Sequence, residues 1–191
     1  MPKYAAGKVR IIAGCWRGRH LELADNPSLR PTSDRIRETV FNWLTPLLPG
    51  ARCLDLYAGT GALGFEAASR GASLVTLVEN NRQCVATLNR HVVTLGAQGI
   101  VHPIQADALT WLRGDGPAYD VVFADPPFGD NAIQLVAQRL EAGNWLSDGA
   151  CVYLEMRIDQ RPEQLPTSWQ VIREKTAGRV RFCLARKNSS A

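Results

Sequence analysis

The sequence has no apolar run approaching the roughly 20 residues that a helix needs to cross a bilayer. Its hydrophobic share of 46% is otherwise ordinary. A membrane span is therefore not expected. The first residues, MPKYAAGKVR, carry positive charge but lack the apolar stretch of a signal peptide, so the expected location is cytoplasmic. Cysteine is sparse: Cys15, Cys53, Cys84, Cys151 and Cys183 are scattered, odd in number and form no C-x-x-C pair. That pattern argues against a disulfide framework or a zinc site, and predicts reduced thiols that mostly pack as small hydrophobes. No internal repeat or low-complexity tract is present, which excludes a solenoid.

At 191 residues the chain fits one domain (1-191), and its net charge of +4 is mild. The distribution of that charge says more than its total. Residues 1 to 37 carry +5, residues 38 to 172 carry −6, and residues 173 to 191 carry +5. Basic ends around an acidic middle suit a protein whose flanks meet a polyanion while its centre does other chemistry.

From Arg52 onward, short β-branched or apolar runs alternate with amphipathic stretches, the pattern of βαβ units and a mostly parallel sheet. The predicted strands are Arg52 to Leu56, Ser73 to Glu79, Gly99 to Ala106, Tyr119 to Ala124 and Ala150 to Met156, with helices between them. Val85, Leu88, Val92 and Leu95 mark the apolar face of the second of these helices. Trp169 to Lys175 and Arg179 to Lys187, joined by Thr176-Ala177-Gly178, read as a terminal β-hairpin. Residues 1-50 form an extension to the 51-187 core. It has a hairpin of Lys8 to Ala13 and Arg19 to Leu23, then a helix starting near Thr32, Ser33 or Asp34, with Ile36, Val40, Phe41 and Leu44 on its apolar face.

Leu54 to Gly64, LDLYAGTGALG, leaves a strand and enters a helix, which places a ligand at the C-terminal edge of the sheet. Gly59 and Gly61 permit a tight turn and close approach of backbone to ligand. With Glu79 twenty residues after Gly59, this G-x-G-x-x-G also fits a dinucleotide-binding fingerprint. Asp55 separates the readings. A diphosphate wants bare N–H groups at the helix start, whereas a carboxylate there suits the cationic methionine moiety of S-adenosylmethionine. Asp107, in Gln105-Ala106-Asp107-Ala108, puts a third acid at the same edge. The expected cofactor set is Asp55, Tyr57, Gly59, Thr60 and Gly61, then Glu79 with Asn80 for the ribose hydroxyls, and Asp107 with Ala108 for the adenine amino group. Glu79 and Asp107 also have a plainer reading, as caps of the helices that follow them.

Tyr119 to Phe128, YDVVFADPPF, is a buried strand ending in an acid, two prolines and a ring. The prolines stop the strand and remove two donors, leaving carbonyls and Asp125 as acceptors suited to an amino group. A purine amine is a poor nucleophile because its lone pair is delocalised into the ring. Fixed acceptors on its two protons favour a pyramidal nitrogen with the lone pair free to attack. Phe128 would stack on the base. The catalytic candidates are thus Asp125, Pro126, Pro127 and Phe128, and the chemistry requires no metal. A simple strand-ending turn is the plainer alternative.

The glycine loop with Asp-Pro-Pro-Phe resembles class I amino-methyltransferases, whose Rossmann-like seven-stranded, mostly parallel sheet carries helices on both faces and ends in a hairpin. A closer resemblance lies in RIIAG at 10 to 14, RGR at 17 to 19 and RPTSDRIRETVFNWL at 30 to 44, which are similar to the RsmD family. That resemblance implies methyl transfer from S-adenosylmethionine to the N2 of a guanine in 16S ribosomal RNA; the expected partner is that RNA within the small subunit or its assembly intermediate, and the expected state is a monomer. It implies that Pro31 and Thr32 wall the cofactor pocket, that Asp125 to Phe128 hold the guanine, and that Arg10, Arg17, Arg19, Arg35 and Arg37 face RNA. Asn/Asp-Pro-Pro-aromatic motifs also occur in DNA adenine and protein glutamine methyltransferases, so adenine N6 and glutamine stand as alternative acceptors.

Overall fold

A computed structural model describes residues 7–24, 33–114, 116–127, 132–161 and 165–188. Its strands are β1 (Lys8–Arg10), β2 (His20–Glu22), β3 (Arg52–Asp55), β4 (Leu74–Glu79), β5 (Val101–Gln105), β6 (Tyr119–Ala124), β7 (Leu146–Arg157), β8 (Trp169–Ala177) and β9 (Val180–Lys187). The helices are α1 (Asp34–Leu44), α2 (Ala62–Ser69), α3 (Arg82–Leu95), α4 (Ala108–Trp111) and α5 (Ala132–Ala142).

Seven strands form one sheet in the order β5-β4-β3-β6-β7-β9-β8. The first five run parallel, as βαβ crossovers require, and β9 enters antiparallel between β7 and β8. The strand order reverses between β3 and β6, and such a switch point opens a crevice at the carboxyl ends of the strands. Apolar side chains fill both faces. One layer joins Cys53, Leu77, Phe123 and Tyr153 to α1, α2 and α3, and the other joins Leu54, Val78, Val122 and Leu154 to α4 and α5. The expected architecture of a mostly parallel sheet with helices on both faces is therefore present.

The N-terminal hairpin is a two-stranded sheet whose Val9, Ile11 and Leu21 share the first layer. Ser33 caps α1, its Oγ accepting from the Ile36 N–H. The four predicted core residues of that helix, Ile36, Val40, Phe41 and Leu44, are all buried. The face of α3 differs from expectation: Cys84, Leu88, His91 and Val92 are buried, while Val85 and Leu95 are only half-buried at its margins. β7 begins four residues before its predicted start, and the terminal hairpin turns at Gly178-Arg179, where Ala177 faces Val180. Four of the five cysteines are buried thiols and Cys15 is exposed. Among the described residues, no helix is long and apolar enough to cross a membrane.

Candidate active site

A cleft of about 1460 Å³ lies over the carboxyl ends of β3, β4, β6 and β7. Asp55, Tyr57, Gly59, Thr60, Glu79, Asn80, Asp107, Ala108, Asp125, Pro126 and Pro127 line it together, so the glycine loop and the Asp-Pro-Pro turn share one pocket. Pro31, Thr32 and Phe128 lie outside the described residues.

Main-chain bonds to both neighbouring strands hold the glycine loop. The Leu56 N–H donates to the Phe123 carbonyl and the Ala58 N–H to the Val78 carbonyl, each at 3.0 Å. Gly59 and Gly61 adopt φ of 51° and 78°, a region side chains disfavour. Gly61 does not line the cleft as expected. It is buried beneath it, where a Cβ would stand 2.6 Å from Phe65 and 2.7 Å from Leu88, so its lack of a side chain serves packing under the loop.

Asp55 is buried, and its Oδ2 accepts from the Gly64 N–H at 3.2 Å, inside the first turn of α2. A carboxylate thus occupies the helix start where a diphosphate would need free donors, which disfavours a dinucleotide. Burial pushes the Asp55 carboxyl up to about 7, despite N–H groups of Gly64 and Tyr57 that act the other way, and Glu79 adds to the rise. The groups that favour its ionised form are backbone dipoles, so a cationic ligand would fill an electrostatic need.

Glu79 accepts from Gly59 N–H at 2.9 Å through Oε2 and from Asn81 N–H at 2.8 Å through Oε1. Each oxygen keeps a second lone pair for a ligand hydroxyl. The helix cap that follows is Asn81, whose Oδ1 accepts from Gln83 and Cys84. Asp107 does cap α4, accepting from the Thr110 N–H at 2.8 Å, and its bonds from Thr110 hold its carboxyl below the usual range. Both readings of Asp107 are compatible, because the capping carboxylate also lines the cleft.

Asp125, just past the end of β6, follows Phe123 by two residues and so shares the sheet face that carries Asp55, which Phe123 pairs with. Alongside it, β7 contributes Glu155, a cleft-lining residue that sequence reasoning missed. The Tyr153 hydroxyl donates to Glu155 Oε2 at 2.6 Å. Arg157 and Arg179 also line the rim on that side.

Among the expected RNA-facing arginines, Arg10, Arg17, Arg19 and Arg35 are exposed. Arg37 is not: its side chain is fully buried, donating to Asp34 Oδ1 at 2.7 Å and to the Arg10 carbonyl at 3.0 Å, with Glu66 Oε2 4.0 Å away. It has no surface to offer a phosphate. Glu66, likewise missed, accepts from the Ile12 and Ala13 N–H groups and pairs with Arg70, fastening the N-terminal hairpin to α2.

A family model described as conserved hypothetical protein 95 matches residues 9–186. The chain is 41% identical over 184 residues to ribosomal RNA small subunit methyltransferase D of Escherichia coli (strain K12), covering 96% of this chain and 92% of the relative. Among solved structures it is similar to the putative methyltransferase yhhF from Escherichia coli, with a TM-score of 0.88 and 40% identity over 96% of this chain and all (100%) of that one. It also shares the fold of the T. thermophilus 16S rRNA N2 G1207 methyltransferase (RsmC), solved in complex with AdoMet and guanosine. There the TM-score is 0.67 at 20% identity, covering 96% of this chain and 50% of that one.

Proposed function

The chain belongs to the RsmD family, and we propose that it transfers a methyl group from S-adenosylmethionine to the N2 amine of a guanine in 16S ribosomal RNA of the small subunit. The observation that carries this reading is the single cleft in which Asp55 and Asp125 meet. One acid lies where a cationic donor needs an anion, and the other ends a strand where an amine needs acceptors. The fit of the donor rests on Gly59, whose backbone lines the cleft with a φ of 51°, and on the buried Asp55 carboxyl, whose ionised form is favoured by backbone N–H groups.

When bound, S-adenosylmethionine supplies a methyl carbon on a positively charged sulfur, which leaves as a neutral thioether. Asp55 holds the charged methionine end, Glu79 the ribose hydroxyls and Asp107 the adenine amine. Asp125, with the carbonyls of the Asp-Pro-Pro turn beside it, accepts from the N2 amine and would direct the nitrogen lone pair toward the methyl group. The Asp125 carboxylate would accept the proton that the methylated nitrogen gives up and pass it to solvent. Orientation of this kind can supply about 7 to 11 kcal/mol of the barrier, so no metal and no strong base are required. Arg10, Arg17, Arg19 and Arg35 contact phosphates, which positions the RNA without reading its bases. Phe128 stacks on the guanine, Pro31 and Thr32 wall the donor, and the chain acts as a monomer.

Incubating the protein with methyl-labelled cofactor and unmodified small subunits, then identifying the labelled nucleoside by mass, tests donor, polymer and base at once. N2-methylguanosine is the expected product, and Asp125→Ala should abolish it while calorimetric cofactor binding survives. A label on adenine or on protein, or normal turnover by Asp125→Ala, overturns the reading.

A further inference from the structure

Glu155 sits at the cleft on β7, one strand over from Asp125 and at the same level, because Ala124 and Leu154 are register partners. It lies on the same sheet face as Tyr153, whose hydroxyl it binds, and Tyr153 in turn feels the charge of Asp125. Glu155 is only 6% exposed. Among the described residues no ion pair involves it. A carboxylate kept in such a place costs free energy unless something donates to it. Tyr153 supplies one donor, leaving Glu155 with acceptor capacity toward the cleft.

Guanine is the base whose Watson–Crick edge sets two donors side by side, N1–H and N2–H. A carboxylate accepts such a pair in bidentate fashion. Adenine presents N1 as an acceptor, so the same carboxylate would face a lone pair. Asp125 alone cannot make this distinction, since every amino-purine offers it an NH2 group. We propose that Glu155 is the specificity-determining residue of the site, accepting N1–H and one N2–H of the target guanine while Asp125 takes the other N2 proton. This rests on the guanine-N2 reading above. Burial raises the Glu155 carboxyl above its ordinary range, as expected of an acid whose donors arrive with the substrate.

The test uses small subunits reconstituted with RNA carrying guanine or 2-aminopurine at the modified position. 2-Aminopurine retains the reactive amine but has an acceptor at N1. The wild-type enzyme should discriminate against it by at least about 100-fold in kcat/KM, because a site built around a donor rejects the analogue that lacks it. Glu155→Gln, whose amide NH2 can donate to an acceptor N1, should shift the ratio toward 2-aminopurine by at least about tenfold, with cofactor affinity unchanged by calorimetry. Wild-type rates within about threefold on the two bases overturn the proposal, a comparison that needs no variant to fold. An unshifted ratio in a Glu155→Gln protein that binds cofactor overturns it too. In both cases turnover of guanine by the wild type leaves the methyltransferase reading intact, whereas failure to methylate guanine removes both.

Discussion

Replacing Glu66 with alanine should loosen the N-terminal hairpin without touching the cofactor cleft, which Glu66 does not line. Its two carboxylate oxygens accept from Ile12 N–H at 2.7 Å and Ala13 N–H at 3.0 Å, pair with Arg70 Nε at 2.7 Å and face Arg37 at 4.0 Å. Arg37 is fully buried, and its Nε and Nη1 already lack hydrogen-bond partners, so the variant removes the acid facing Nη1 and leaves Asp34, on Nη2, to balance the guanidinium. Removing one partner of a buried pair costs about 3 to 5 kcal/mol, a range that includes the stranded backbone donors at about 1 to 3 kcal/mol each only in part. Taking about 3 to 5 kcal/mol as the whole, a chain of this size should lose about 6 to 20 °C in Tm. Differential scanning calorimetry reads the global loss, and hydrogen exchange at the Ile12 and Ala13 amides reads it where it originates. A Tm within about 3 °C of wild type, with both amides still protected, would refute the reasoning.

Asp55→Asn should flatten the stability curve of the free protein. The wild-type carboxyl titrates near 7 when folded against an ordinary 3.8, so the native state holds the extra proton and loses stability as pH rises between those values, as chemical denaturation across that window would show. Conversely, cofactor affinity of the wild type should rise with pH up to about 7, a trend that calorimetry should find absent in Asp55→Asn. Gly64→Ala places a Cβ 2.2 Å from Leu77 Cδ2 and 3.5 Å from Asp55 Oδ2, so a loss of about 1 to 3 kcal/mol in urea melts with weakened cofactor binding is expected. Arg17→Ala and Arg19→Ala should each reduce the slope of log affinity for RNA against log salt by about 0.7 to 1, while Arg37→Gln leaves that slope unchanged and lowers Tm.

The elements that were legible in the sequence are those whose signal is local. Asp55 and Asp125 each close an apolar run just before a turn residue, and a strand ending at a known edge carries its last side chain to the site. Glu155 has no such mark. It lies inside β7, among Val152, Leu154 and Met156, and becomes a cleft residue only because β7 pairs with β6 beyond Ala124. That is a fact of register between distant segments, and composition does not carry it. Glu66 was hidden in the same way, since its partners lie 53 and 54 residues upstream. Arg37 is the instructive case, because its signal was present: Val40, Phe41 and Leu44 follow it by three, four and seven positions, so the period that identified the apolar stripe of α1 also includes Arg37. Charge type suggested an outward face while periodicity required an inward one. Periodicity prevailed: the apolar stripe is buried, and Asp34 and the Arg10 carbonyl both accept from Arg37 Nη2, which offsets part of the cost of carrying the guanidinium inside. The basic character of the first 37 residues therefore overstates what that flank presents to a polyanion, and the arginines proposed to meet RNA are those lying off that stripe.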